Sequence, residues 1–185
     1  MKSDPRVRYT ESVIEKAMIE LLKDNPPEKI TVRMISETAM INRGTFYKHY
    51  QDIYDLSDRM KEKELKQFEE MLKEMKTNGA GPVITAILNG LKENRDLLRA
   101  FSRQGEENDF VTQLSVKCFR FMDEEVENLK EKNLDERQKK AVITYITGGS
   151  ASVIRSWLSS GCGEPAEKVA EEILNLSGIL LREIK

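Results

Sequence analysis

The strongest constraint on the fold is a run of start and stop signals between residues 24 and 52. Asn25-Pro26-Pro27 ends whatever helix precedes it, because proline lacks an amide donor and restricts the residue before it. Thr31 then stands as an N-cap for a short segment, Val32 to Ala39, with Met34, Ile35 and Ala39 as its inward positions. Asn42 is a second N-cap and opens Arg43 to His49, and Asp52 caps a long fourth helix. Upstream, Val13, Ile14, Ala17, Met18, Leu21 and Leu22 recur at the three-and-four spacing of one buried helical face. Thr10 is the expected N-cap of that helix, with Glu11 and Glu15 at the positive end of its dipole. Two short helices on either side of a three-residue turn, behind a longer helix, have the dimensions of a helix-turn-helix.

The remainder reads as helix throughout. Ile53 to about Met75 carries a narrow seam of Leu56, Met60, Leu65, Phe68, Leu72 and Met75 on a densely charged helix, and Asn78, Gly79, Gly81 and Pro82 break it. Four more helices are predicted, Val83 to Glu93, Arg95 to Arg103, Asp109 to Lys132 and Glu136 to Ser160. A last helix comes after Pro165 with Val169, Ile173, Leu176, Leu180 and Ile184 on one face. The expected class is all-α, about nine helices. A helix-turn-helix unit at residues 1–52 would be joined by the long fourth helix to a helical body at 53–185.

Composition excludes several functions. No apolar run approaches the roughly 20 residues that span a bilayer, and no apolar leader is present, so no membrane partner is expected. Cys118 and Cys162 are too few for a disulfide framework or a metal site, which fits a reducing, cytoplasmic setting with no metal and no cofactor. No phosphate loop, nucleophile elbow or zinc spacing is visible, so an enzyme has no support. The net charge of −2 argues against a non-specific nucleic-acid coat, but its distribution is uneven. Residues 1–50 hold nine Lys and Arg against seven Asp and Glu, and the rest hold 21 against 25. That is the sign a DNA-binding head on an acidic body would show.

The segment after Asn42 is too short to be amphipathic for its own sake. Phe46 and Tyr50 are expected to face the core, leaving Thr45, Tyr47, Lys48 and His49 outward beside Arg43 and Gly44. Hydroxyls, a cation, an imidazole and a close backbone approach are the groups that meet phosphate oxygens and base edges.

The stretch Thr31 to Tyr50, and most specifically Thr45-Phe46-Tyr47 with a nearby histidine, resembles the DNA-binding signature of TetR-type (tetracycline-repressor-like) regulators. The likeness runs from Val13 to Leu56. Tyr145-Ile146-Thr147-Gly148-Gly149 with Trp157 and Gly161 is similar to the C-terminal body of a Firmicutes-type subgroup. The resemblance implies a DNA-contacting set of Thr31, Arg33, Asn42, Arg43, Gly44, Thr45, Tyr47, Lys48 and His49. Within it Arg33 would reach a guanine edge, Thr45, Tyr47 and His49 would grip phosphates, and Arg43, Gly44 and Lys48 would sit where base contacts vary. Two positions depart from the pattern. Met40 replaces the usual turn glycine, and Ile53 replaces a lysine that often touches phosphate.

In the body, Phe101, Phe110, Phe119, Phe121, Met122 and Tyr145 fit either a small-molecule pocket or ordinary core, since an apolar stripe at helical spacing serves both. The resemblance implies that the last two helices pair across a two-fold axis, with Gly148, Gly149, Ser152, Trp157, Ile173, Leu176 and Leu180 at the interface and Trp157 as its anchor. The function it implies is that of a sequence-specific transcriptional regulator. It would be a repressor, a homodimer on a palindromic double-stranded DNA operator, modulated by a small-molecule effector. The alternative is an all-α protein- or ligand-interaction module derived from such a regulator, with weak DNA binding, for which Met40 and Ile53 are the motives.

Overall fold

The computed structural model describes residues 4–101, 109–122 and 134–184. Ten α-helical segments and no strand occur among them. They are α1 Pro5–Asp24, α2 Val32–Thr38, α3 Arg43–His49, α4 Ile53–Leu72, α5 Met75–Asn78, α6 Ala80–Glu93, α7 Arg95–Ala100, α8 Phe110–Phe121, α9 Glu136–Ser159 and α10 Ala166–Glu183, with a 3₁₀ turn at Pro27–Lys29. The predicted continuations to Arg103 and from Asp123 to Lys132 lie outside the described residues. The chain falls into two compact units, one from the stretches 1–64 and 96–105, the other from 65–95 and 106–185.

In the first unit α1 starts earlier than predicted. Asp4 is its N-cap, accepting from the Arg6 amide at 2.9 Å, and Pro5 occupies the first turn, where its missing donor costs nothing. Thr10 lies inside the helix instead, its hydroxyl donating to the Arg6 carbonyl at 3.0 Å. Ile14, Ala17, Met18 and Leu22 of α1 are buried, together with Ile35, Ala39, Phe46, Tyr50, Leu56 and Met60. The short helices hold their ends through side chains: Thr31 Oγ1 accepts from the Met34 amide at 3.3 Å and Asn42 Oδ1 from the Thr45 amide at 2.7 Å. Asp52 Oδ1 does the same for the Asp55 amide at the start of α4, at 2.8 Å.

Between α2 and α3 the chain turns through Met40, whose φ is 52° and whose side chain is 93% exposed. The left-handed conformation costs an L-residue about 1–2 kcal/mol, and an exposed side chain returns nothing by packing. Met40→Gly is therefore expected to raise the unfolding free energy by about 0.5–1 kcal/mol, the relieved strain being partly offset by the extra freedom of glycine in the unfolded chain. Chemical denaturation of the two proteins checks this. An equal or lower midpoint for the glycine variant would mean the turn is not strained.

The second unit packs α6 against α10 and α8 against α9. Asp135 opens α9 with a capping box, Gln138 answering from the third position. Asp109 caps α8 through one oxygen, while its other accepts from Arg155 of α9 at 2.8 Å, so the start of α8 is tied to the C-terminal part of α9. Phe110 meets Phe68 edge to face at 6.0 Å, and a Cβ at Gly90 would stand 3.2 Å from the Phe68 ring, so glycine is what lets that ring lie there. No helix among the described residues is long and apolar enough to cross a membrane.

Candidate nucleic-acid interface

Helix α3 is seated by its aromatics. Phe46 has no exposed surface, and its ring meets Tyr47 at 5.6 Å and Tyr50 at 5.7 Å. Arg59 of α4 lies over the Tyr50 ring at 5.4 Å, itself held by Asp55 at 2.9 Å. The amide of Gln51 and the Arg59 guanidinium hold the Asp55 carboxyl below its ordinary range. Burial, and then the carboxylates of Glu15 and Glu11, push the Tyr50 phenol up, so it stays neutral and structural.

With Phe46 and Tyr50 inward, Arg43, Gly44, Tyr47 and Lys48 are left exposed, Tyr47 by 57%. Two expected outward groups behave differently. The Thr45 hydroxyl donates to Asn42 Oδ1 at 3.0 Å, so it reinforces the cap and keeps only lone pairs for a ligand. His49 turns inward: its side chain is 12% exposed and Nδ1 faces Glu11 Oε1 of α1 at 3.6 Å. The cause is helical phase, because His49 comes three residues after Phe46 and shares its inward face. On α2, Arg33 is exposed and its Nε donates to Glu37 at 2.7 Å. Such a solvent-exposed pair is screened by water and holds the guanidinium only loosely. Gly44 has its own local reason, since a Cβ there would stand 3.3 Å from the capping Asn42 oxygen.

The body residues divide as well. Phe110 and Phe119 are buried in the second unit, Met122 ends α8, and Phe101 is buried in the first unit. Tyr145, expected in the same pocket, is 72% exposed. Helix α9 turns Ile146 and Thr147 inward and so carries Tyr145 to the surface. There it lines a groove of about 350 Å³ with Gly149, Val153, Leu176, Ile179 and Leu180, between α9 and α10. Trp157 takes the opposite course. It comes three residues after Ile154 on the buried face, is 6% exposed, and donates through Nε1 to the Glu164 carbonyl at 2.9 Å. Its ring is thus packed within its own chain. Ile173 is also buried, Leu180 half-buried and Ser152 exposed, with its hydroxyl accepting from Arg155 at 3.3 Å. A Cβ at Gly148 or Gly149 would meet no atom of the described chain within 4 Å.

Residues 80–178 match the family model of the TetR-type transcriptional regulator C-terminal region. The chain belongs to the TetR family of transcriptional regulators. Solved structures agree with the TetR fold. The dihydroxyacetone kinase operon activator DhaS aligns over 95% of this chain and 96% of its own, with 23% identity and a TM-score of 0.67. FadR from Bacillus subtilis, in complex with stearoyl-CoA, aligns over 94% and 99% with 16% identity and a TM-score of 0.66. SmeT, in a complex with triclosan, aligns over 91% and 90% with 13% identity and a TM-score of 0.63. A search among curated proteins returns no match. In this TetR-family chain the signature residues and the matched C-terminal region are thus consecutive parts of one all-α polypeptide.

Proposed function

We propose that the chain is a sequence-specific repressor that binds a palindromic operator as a homodimer, with residues 1–52 reading DNA and residues 53–185 dimerising and receiving a small-molecule effector. The observation that carries this reading is helix α3. It is capped by Asn42 and pinned by buried Phe46 and Tyr50, with Arg43, Gly44, Tyr47 and Lys48 on its solvent side. Phosphate contacts from Tyr47 and Lys48 set the register, and Arg33 and Arg43 supply guanidinium groups for base edges. Two heads on a two-fold axis would meet half-sites roughly 34–36 Å apart. The groove between α9 and α10 supports the homodimer, being apolar, exposed and bordered by the open surface at Gly148 and Gly149. Support for an effector comes from the FadR and SmeT complexes, which hold stearoyl-CoA and triclosan. An effector acts by favouring one of two conformations, and release from the operator results if the DNA-competent one is disfavoured.

The test is titration of the purified chain with duplex DNA at a series of salt concentrations. Each phosphate neutralised contributes about −0.9 to the slope of log affinity against log salt. Lys48→Ala is expected to make the slope shallower by about one for each head engaged and to leave the thermal midpoint unchanged. Binding too weak to measure at low salt, or a slope that Lys48→Ala does not change, would favour the interaction-module alternative motivated by Met40 and Ile53.

A further inference from the structure

We propose that Glu11 is a positioning residue for DNA binding, holding His49 so that the imidazole meets a DNA phosphate only when it carries a proton. The inference rests on the DNA-binding reading above and adds to it a residue, a protonation step and a pH dependence.

Three observations place the groups. Nδ1 of His49 faces Glu11 Oε1 at 3.6 Å, with the imidazole 12% and the carboxylate 33% exposed. The imidazole is the group that the Glu11 carboxylate meets within 4 Å among the described residues, and its charge also acts on Tyr50 and Arg59. Nε2, on the other edge of the ring, is not sealed from solvent. His49 is also the last residue of α3, one position beyond exposed Lys48 and two beyond exposed Tyr47.

The other charges around the ring come from three helices. On α1, Arg8 precedes Glu11 by three residues and Glu15 lies four beyond it, with Glu15 paired to Lys63 of α4 at 2.5 Å. On α3 there is Lys48. On α4, Arg59 lies over Tyr50, whose ring is 6.4 Å from that of His49, and Arg59 is paired with Asp55. The Glu15–Lys63 and Asp55–Arg59 pairs are each neutral overall. Among these groups Glu11 forms no salt bridge to a lysine or arginine, although the Arg59 charge also reaches it.

The chemistry is set by which atoms donate. A carboxylate only accepts, so it selects the neutral tautomer with hydrogen on Nδ1, leaving a lone pair on Nε2. That lone pair repels a phosphate oxygen. One proton added at Nε2 changes the ring to a cation whose Nδ1–H faces the Glu11 carboxylate as an ion pair and whose Nε2–H donates a charge-assisted bond to the phosphate. Binding therefore takes up a proton. Affinity is highest at low pH and falls as pH rises through the titration of His49 in the complex. In Glu11→Gln the side-chain amide can donate to Nδ1, which permits the neutral tautomer with hydrogen on Nε2, and phosphate contact no longer needs a proton.

His49 is the single histidine of the chain, so its imidazole signal in NMR is unambiguous. The experiment titrates that signal in the full chain, alone and saturated with random-sequence duplex DNA at low salt, and measures affinity for the same duplex between about pH 6 and 8, a range that spans the ordinary histidine titration. The expected result is a titration moved upward by DNA by about one pH unit, matched by about a tenfold loss of affinity across the range. Glu11→Gln should reduce that loss to under about threefold, and His49→Gln should remove it. Duplex binding with a His49 titration unchanged by DNA would overturn the inference and leave the DNA-binding reading intact. An equal pH dependence in parent and Glu11→Gln would overturn the role of Glu11. Failure to bind duplex at any pH would overturn the DNA-binding reading and this inference together.

Discussion

Phe46→Ala is expected to lower the stability of the first unit by about 3–5 kcal/mol, the largest effect of any single substitution in the head. The ring has no exposed surface and meets Tyr47 edge-on and Tyr50 at a tilt, so its removal takes away both the burial and the ring contacts that seat α3. The remaining space cannot collapse easily, because α3 is capped at Asn42 and Tyr50 is held under Arg59. A loss of this size is comparable with the whole stability of many domains, about 5–15 kcal/mol, so α3 would cease to be ordered at physiological temperature. Chemical denaturation of the full chain, tracked by circular dichroism, measures it. Tyr47→Ala is the control, because a ring 57% exposed is removed at little cost to folding, within about 0.5–1 kcal/mol. A Phe46→Ala loss below about 1 kcal/mol would mean that the aromatic seat does not hold the helix.

Leu176→Asp combined with Ile179→Asp is expected to weaken self-association at least about a hundredfold, equivalent to about 3 kcal/mol, while leaving the fold intact. Both side chains stand on α10 at the groove, 60% and 51% exposed in the single chain, with Tyr145 opposite on α9 at 72%. Charges at these positions are solvated in the monomer and stripped of water without partners in a dimer, so the cost falls on association alone. Sedimentation of the parent at micromolar concentration should give a dimer and of the double variant a monomer, with equal thermal midpoints for the monomeric units. A monomeric parent, or a double variant that still dimerises, would contradict the proposed interface.

Much of the head is legible in the sequence because its signals are local. Thr31, Asn42 and Asp52 are N-caps by residue type and position, and each accepts the amide that a cap should accept. The burial of Phe46 and Tyr50 agrees with helical spacing alone. The early start of α1 is harder to read although Asp4-Pro5 is itself a start signal, because Thr10 with Glu11 offers a second one closer to the apolar face. The inward turn of His49 depends on Glu11, which is distant in sequence, and no local pattern reveals such a partner. In the body the phase of α9 is the difficulty. Its stretch from Thr144 to Ser152 is mostly small and weakly polar, so neither side reads as core. Sequence spacing accordingly leaves open which face of α9 carries Tyr145, which stands exposed at the groove, while Ile146 and Thr147 are buried.

Selection from a random pool of duplex DNA by the purified chain, run beside an Arg33→Ala, Tyr47→Ala double variant, tests the central claim most directly. Enrichment of one palindrome by the parent and of none by the variant is the predicted result, since both side chains are exposed and their loss removes contacts without unseating α3. Enrichment of nothing by the parent, or of the same sequence by both proteins, would contradict it.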